Sequence, residues 1–136
     1  MCIRDRSTGH APPPQAMGYG AVPQHVILTP GDATFEELIN MVEHGLLITS
    51  FHYINPYLHP KTALMTGMTR HGTFLIENGK ITKPVKNLRF TESILKAFKN
   101  VEKLTKDCEI YSTPFSFIKV PALLIRKFTF TGKTQF

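Results

Sequence analysis

The chain has 136 residues, of which 42% are hydrophobic and 19% are charged, and its formal net charge is +6. This composition is typical of a globular domain and excludes a disordered chain. No apolar run approaches the roughly 20 residues that a membrane helix needs, and we find no apolar signal stretch, so we expect a cytoplasmic protein without membrane contact. The basic residues are dispersed along the chain, so the charge does not indicate a nucleic-acid partner.

The N-terminal region divides into three predicted parts. Residues 1–6 fit no secondary-structure element and resemble a non-native leader, so we exclude them from the fold. Residues 7–136 then form one domain, the C-terminal piece of a longer protein. Frequent proline and glycine predict an extended arm over 7–30, with one short strand at His25–Thr29, ahead of a globular part over 31–136.

A helix and a strand follow the arm. Thr34–Glu37 has the pattern of a capping box and predicts the start of a helix that ends at Gly45. Its predicted apolar face comprises Phe35, Leu38, Ile39 and Val42. Leu46–Ile54 is apolar on both alternating faces and predicts a buried strand, with Asn55–Pro60 as its exit loop.

An antiparallel meander is predicted next. Asn78-Gly79 is the strongest short signal for a type I′ hairpin turn. Arg70–Gly72 separates two further runs, and Pro84 stops the last one. The predicted strands are Thr62–Met68, Thr73–Glu77 and Lys80–Lys83.

The remaining residues predict a second helix and three strands. Thr91 is placed to cap a helix that ends near Leu104. The strands that follow are Asp107–Ser112, Phe115–Ile125 and Lys127–Thr131. The predicted fold class is therefore α+β, a β-rich domain with an antiparallel meander and two helices, and an incomplete fragment of a larger protein. Strands that are apolar on both faces imply burial against another layer, either the missing N-terminal part or a second subunit.

Several pieces, taken in their order and spacing, resemble the C-terminal portion of the TldD/PmbA family, metalloprotease-related proteins that act as a two-subunit complex. The resemblance extends from Ser7 to Phe136. The matching pieces are Ser7–Ala11, Pro30–Asp32, Gly45–Thr49, Thr66–Arg70, Gly72–Gly79, Pro84–Phe90, Val120–Leu123 and Phe128–Gly132.

The resemblance implies a cytoplasmic heterodimer that trims peptides or unfolded polypeptides by metal-assisted hydrolysis, with zinc as the metal of the full complex. In the catalytic subunit of this family, a HExxxH helix supplies two histidine ligands and a general base. The present chain contains no HExxxH, and Glu43-His44 is its nearest fragment. We therefore expect no catalytic residue and no bound metal in this chain alone. Ser7–Ala11 is more similar to the non-catalytic, PmbA-like subunit.

Cys108 has two alternative interpretations. A cysteine from the C-terminal domain completes the metal site of the family's catalytic subunit, and Cys108 lies near the corresponding place. Asp107–Ser112 aligns equally well with a strand of the partner subunit that carries no ligand. The other cysteine, Cys2, is distant in sequence, and no CxxC or Cys/His spacing indicates a disulfide or a self-contained zinc site. Cys108 is thus either a zinc ligand or a buried structural thiol.

One five-residue run is the best candidate for substrate binding. It offers a glycine that permits close approach, two hydroxyls and a cation at a predicted strand end, which suits the pairing of an extended peptide with a sheet edge. The alternative is a turn that needs small residues. The run comprises Thr66, Gly67, Met68, Thr69 and Arg70.

Three more residues complete the predicted substrate site. Asn87 and Arg89 are candidates for recognising a peptide carbonyl or carboxylate, with helix capping or an interface as the alternative. His10 is a candidate for lining a cleft, with a packing or surface role as the alternative. His52 alternates with Ser50 along a strand and is interpreted as a histidine at the edge of the core, bonded to backbone.

The predicted function is that of a domain supplying a substrate groove and a dimer surface to a metal-dependent peptidase complex. Its partners would be a TldD-like or PmbA-like subunit and a peptide substrate. The alternative is a non-catalytic scaffold or interaction module that stabilises or regulates a partner.

Overall fold

The computed structural model describes residues 25–113 and 116–133, together with His10, Gln15 and Pro23. The predicted leader at 1–6 and most of the predicted arm lie outside these residues. The elements in chain order are β1 (His25–Ile27), α1 (Phe35–Asn40), β2 (His44–His59), one 3-10 turn (Pro60–Thr62), β3 (Leu64–Glu77), β4 (Lys80–Pro84), β5 (Leu88–Ser93), α2 (Ile94–Lys99), β6 (Val101–Thr113), β7 (Ser116–Ile125) and β8 (Phe130–Lys133).

The strands form two sheets. The larger has the order β2-β3-β5-β8, and β4 also pairs with β3; the smaller has the order β1-β7-β6. All neighbouring strands are antiparallel except β1 and β7, which are parallel. The predicted α+β class, rich in antiparallel sheet and with two helices, is therefore confirmed. Neither helix of the described residues is long and apolar enough to cross a membrane.

The loop before α1 ties the first helix to the smaller sheet. Gly31 donates its N–H to the carbonyl of Thr105 at 3.0 Å, and Lys106 donates to the carbonyl of Ala33 at 2.7 Å. Ala33 is 1% exposed. A Cβ at Gly31 would lie 2.4 Å from the carbonyl oxygen of Leu104, so this contact requires glycine.

The core of the larger sheet is aromatic. Phe90, in β5, is fully buried, and its ring lies 4.8 Å from Phe51 and 5.3 Å from Phe128 between centroids. Gly67 is opposite Phe90 in β3, and a Cβ at Gly67 would come within 2.7 Å of the Phe90 ring. The glycine therefore makes room for the phenylalanine that fills this face of the sheet.

The predicted break within β3 is wrong. Thr62–Met68 and Thr73–Glu77 belong mostly to one strand, which continues through Arg70–Gly72. The backbone is irregular there, and His71 has a φ of +64°. A hydroxyl of the neighbouring strand holds this backbone, since Ser50 Oγ donates a hydrogen bond to the Arg70 carbonyl at 2.6 Å. The local pattern of turn-like residues thus marks a bulge rather than a turn.

The hairpin prediction is confirmed. Asn78 and Gly79 have φ values of +51° and +73°, as a type I′ turn requires, and they join β3 to β4. The third predicted strand ends at Pro84, as expected.

β2 is longer and less buried than predicted. It continues to His59 through the predicted loop Asn55–Pro60. Pro56 is tolerated because β2 is at the edge of its sheet and pairs with β3 alone among the described strands. The strand is half-exposed rather than buried, with Ile54 50% exposed.

Both helices are shorter than predicted. The capping box at Thr34 is confirmed, but α1 reaches its C-cap at Met41, and Gly45 lies in β2. Thr91 lies within β5, and Ser93 caps α2 instead. The second helix ends at Lys99, so the predicted helical residues up to Leu104 belong to β6. Helix propensity alone did not locate the C-terminal ends of the two helices, because the residues that follow them pair with neighbouring strands.

The last three predicted strands exist. Asp107–Ser112 lies within β6, and Phe115–Ile125 corresponds to β7. The final strand, β8, begins at Phe130, three residues later than the predicted start at Lys127.

Candidate functional site

One face of the larger sheet collects half of the predicted substrate residues, Thr66, Met68, Arg70 and Arg89. Side chains alternate between the faces of a sheet, and directly paired residues share a face. Met68 pairs with His52 on one side and with Arg89 on the other. We call this surface the polar face; it comprises Ser50, His52, Thr66, Met68, Arg70, Arg89 and Thr91.

Two residues of the predicted run lie on the opposite face. Gly67 lies under the Phe90 ring, and Thr69 is 1% exposed. Thr69 Oγ1 accepts hydrogen bonds from the N–H of Leu88 at 3.0 Å and from the hydroxyl of Thr73 at 2.8 Å. These contacts give Thr69 a structural role in joining β5 to β3.

The run is not at a sheet edge, so that part of the prediction is wrong. Thr66 pairs with Asn55 of β2 and with Thr91 of β5, which makes β3 an interior strand. At Thr66 and Met68 the strand is paired on both sides, so an added peptide strand has no place there. A ligand on the polar face would therefore meet side chains.

Arg70 and His52 form the best-defined contact of the polar face. Arg70 Nη1 lies 3.1 Å from Nε2 and 3.2 Å from Nδ1 of His52. The histidine was predicted to be bonded to backbone at the edge of the core, and the structure places its ring against the guanidinium instead. The alternation with Ser50 was the sequence signal that put His52 on this face.

Arg89 lies beside open space. It pairs with Gly132 of β8, and a Cβ at Gly132 would meet no atom within 4 Å. The neighbouring hydroxyls of Thr91 and Thr131 lie 3.5 Å apart. The position that a side chain at residue 132 would occupy, opposite Arg89, is therefore open to solvent.

Thr66 is partly engaged by the sheet itself. Its hydroxyl donates to the carbonyl of Phe90 at 2.7 Å and accepts from the Thr91 hydroxyl at 3.4 Å. The hydroxyl pair remains on the polar face, beside Met68.

The other two predicted residues are less closely connected with this surface. Asn87 is half-buried in the loop between β4 and β5, two residues before Arg89. His10 is half-buried at an isolated described position. Their part in a substrate site stays a prediction.

The polar face carries positive charge. The ion pairs among the described residues are Lys103 with Asp32, at 3.9 Å, and Arg126 with Glu102, at 3.1 Å. Neither includes Arg70 or Arg89, so no carboxylate of the described chain neutralises these two guanidinium groups.

A buried carboxylate on the core face is fully engaged by hydrogen bonds. Glu92 is 8% exposed and accepts from the N–H of Ser93 at 2.8 Å and of Thr129 at 3.0 Å. Burial by itself would raise the pKa of Glu92, but the hydrogen bonds from Thr129 and Ser93 and the charge of Lys96 outweigh it, so the pKa lies below 4.5.

The described residues do not fit a complete metal site. Within 25–113 and 116–133, and at the three isolated positions, no three His, Cys, Asp or Glu side chains come close enough to hold an ion. Cys108 is half-buried in β6, opposite Pro121.

Comparison with protein families and solved structures identifies the domain. A model of the PmbA/TldA metallopeptidase C-terminal domain matches residues 4–132. Comparison with curated protein sequences gives no match.

Three crystal structures have a similar fold. TldE from Thermococcus kodakarensis is 15% identical, with a TM-score of 0.67 over 79% of this chain and 24% of that one. A candidate modulator of a DNA gyrase from Thermotoga maritima is 19% identical, with a TM-score of 0.65 over 78% and 23%. A candidate modulator of DNA gyrase from Bacteroides thetaiotaomicron is 28% identical, with a TM-score of 0.63 over 76% and 22%.

The chain spans less than a quarter of the length of these solved structures. The family model covers nearly all of the chain and agrees with the resemblance found in the sequence. The chain therefore belongs to the PmbA/TldA metallopeptidase family, the TldD/PmbA proteins, and corresponds to their C-terminal domain.

Proposed function

We propose that this domain works within a metal-dependent peptidase complex, where its polar face contacts the peptide substrate. One observation carries the proposal: Thr66, Met68, Arg70 and Arg89 share a face on neighbouring strands of one sheet. The family to which the chain belongs is named for metallopeptidase activity.

The chemistry of the polar face suits a peptide. Arginine side chains donate hydrogen bonds to carbonyl and carboxylate oxygens, and hydroxyls both donate and accept. Met68, at the centre, offers an adaptable apolar contact for substrate side chains of different shapes. A surface of this kind would accept peptides and unfolded polypeptides of many sequences and would not select one particular sequence. His10 and Asn87 are further proposed contacts.

The hydrolytic step would take place on residues outside this chain. In the proposal, a HExxxH helix elsewhere in the complex holds the zinc, and this domain holds the substrate. A TldD-like or PmbA-like subunit would be the partner in a cytoplasmic heterodimer, and Ser7–Ala11 favours assigning this chain to the PmbA-like type.

The smaller sheet is the proposed dimer surface. Two large apolar side chains are exposed on the same face, Ile27 at 61% and Ile110 at 64%, both in register with Lys119 of β7. Exposed apolar side chains close together on a soluble domain favour a protein partner. The same observation supports the second candidate function, a scaffold that binds a partner without contacting substrate.

Photo-crosslinking distinguishes the two functions. One variant carries a photoreactive amino acid in place of Met68, on the polar face, and a matched variant carries it in place of Ile110, on the smaller sheet. Each is irradiated with a labelled unfolded polypeptide. We expect labelling from position 68 and little from position 110. Labelling from position 110 alone would contradict the substrate role and favour the scaffold.

A further inference from the structure

We infer that the polar face recognises a carboxylate of the peptide and holds it between Arg70 and Arg89. The inference rests on the proposed function and specifies which group of the substrate this surface selects. Three observations support it: the relative position of the arginines, their lack of acidic partners, and the support of Arg70 by His52.

The two arginines are diagonal neighbours across a pair of strands. Arg89 is directly opposite Met68, and Arg70 lies two residues from Met68 on the same face of β3. Diagonal neighbours in an antiparallel pair lie about 7–8 Å apart, within reach of long side chains. Both guanidinium groups therefore can converge on one anion above Met68.

The charge of the pair is uncompensated. Neither of the ion pairs in the described part of the chain involves these arginines. Glu92, the acid nearest to Arg89 along β5, is buried on the core face and hydrogen-bonded by Ser93 and Thr129. An external carboxylate is the partner that supplies the missing charge.

His52 restricts the side chain of Arg70. The contact at 3.1–3.2 Å limits the rotation of the Arg70 side chain, which lowers the entropy cost of binding an anion.

A carboxylate matches a guanidinium better than an amide carbonyl does, because its two charged oxygens accept two parallel hydrogen bonds. In a peptide, this group is either the C-terminal carboxylate or the side chain of Asp or Glu. The experiment must separate these two sources.

Three labelled peptides of one sequence test the inference. The first has a free C-terminal carboxylate, the second is amidated, and the third is amidated but carries one internal glutamate. Binding to the whole chain is measured by fluorescence anisotropy. We expect one of the carboxylate peptides to bind at least about tenfold more tightly than the amidated peptide, and the tighter one identifies the source.

Variants assign the effect to the polar face. Arg70→Ala and Arg89→Ala should each remove most of the preference for the carboxylate, and Arg70→Lys should keep part of it because the charge remains. Arg126→Ala is the matched control, since it removes one positive charge from an exposed arginine that is already paired with Glu102. Circular dichroism establishes that each variant is folded.

Each outcome has a distinct meaning. Equal binding of the three peptides would overturn the carboxylate inference and leave the proposed function intact. A preference that survives Arg70→Ala and Arg89→Ala in folded protein would also overturn it, because the carboxylate would then bind elsewhere. Failure of every peptide to bind would overturn the proposed function itself.

Discussion

Gly67 has a packing role in the structure, whereas the sequence suggested a role in substrate binding. The sequence suggested that Gly67 allows a peptide to approach the backbone. In the structure, the approaching group is the buried ring of Phe90, from the next strand. The φ angle of Gly67 is not positive, so the requirement for glycine is steric.

Because the requirement for glycine is steric, alanine should destabilise the fold at position 67 but not at position 132. Gly67→Ala would place a Cβ within 2.7–2.8 Å of the Phe90 ring, and we expect a loss of about 1–3 kcal/mol in the free energy of unfolding. Gly132→Ala is the control, because its Cβ would meet open space, and we expect a change within about 0.5 kcal/mol. Urea denaturation measures both. Equal effects would contradict the packing explanation.

Glu92 is a second residue whose role is decided by its contacts. Its two carboxylate oxygens accept from Ser93 and Thr129, and so connect β5 with the segment before β8. The pKa of Glu92 is lowered in the folded state. A lowered pKa means that the charged form stabilises the fold.

This shift predicts a dependence of stability on pH. The contribution of Glu92 is complete above its ordinary pKa of 4.5 and is lost as the pH falls through the lowered pKa of the folded state. Glu92→Gln should cost about 1.5–3 kcal/mol at pH 7 and flatten the decline in stability below pH 4.5. Denaturation at a series of pH values measures both. An unchanged decline in the variant would contradict this assignment.

At the scale of elements, the start of α2 is set by a hydroxyl with two contacts. Ser93 Oγ accepts from the N–H of Lys96 at 3.4 Å and donates to the carbonyl of Thr62 at 2.7 Å. Thr91, the cap predicted from sequence, lies in β5 with its hydroxyl near Thr66 and Thr131.

Replacing each of the two candidate cap residues by alanine should lower the free energy of unfolding by a different amount. Ser93→Ala should lower the free energy of unfolding by about 1–2 kcal/mol, since it removes the cap and leaves the Thr62 carbonyl without this donor. Thr91→Ala should cost about 0.5 kcal/mol or less, because its hydroxyl contacts are long. Thermal unfolding of the two variants tests this. A larger loss for Thr91→Ala would favour the original prediction.

The bulge in β3 is an element-scale feature that shapes the polar face. Arg70 immediately precedes His71, whose φ of +64° is unusual for a residue with a side chain. Hydrogen bonds from Thr49 and Ser50 to the carbonyls of Gly72 and Arg70, at 3.1 and 2.6 Å, hold this part of the chain. The bulge thus lies directly beside Arg70, whose guanidinium contacts His52.

At the scale of the molecule, the domain presents two surfaces of different chemistry. The larger sheet has a cationic polar face, and one face of the smaller sheet exposes the apolar side chains of Ile27 and Ile110. Gly31–Ala33 connects the sheets through backbone hydrogen bonds to β6. In the proposed function, the first surface would contact the substrate and the second a protein partner.

The whole chain should not hydrolyse peptides by itself. Within the part of the chain that the structure describes, no three metal-binding side chains come together, so added zinc has no complete site there. We expect no cleavage of a fluorogenic peptide above the protein-free rate, with or without zinc. Cleavage that a chelator abolishes and that Cys108→Ser reduces would contradict this expectation.

Several features could be predicted from sequence because their causes are local. The capping box at Thr34 and the type I′ turn at Asn78-Gly79 depend on neighbouring side chains and on permitted φ angles, and both are confirmed. The ordered pieces from Ser7 to Phe136 likewise identified the family, which the match to residues 4–132 confirms.

Tertiary structure alone decided the features that depend on distant pairing. Sequence could not reveal that β3 continues through Arg70–Gly72, because the hydroxyls that hold the bulge come from β2, about twenty residues away in the chain. Nor could it reveal that Gly67 faces Phe90 while Arg70 faces His52, since a change of register by one residue exchanges the two faces. Local caps and turns are therefore determined by the sequence itself. The polar face, in contrast, exists only because β2, β3 and β5 pair in one register.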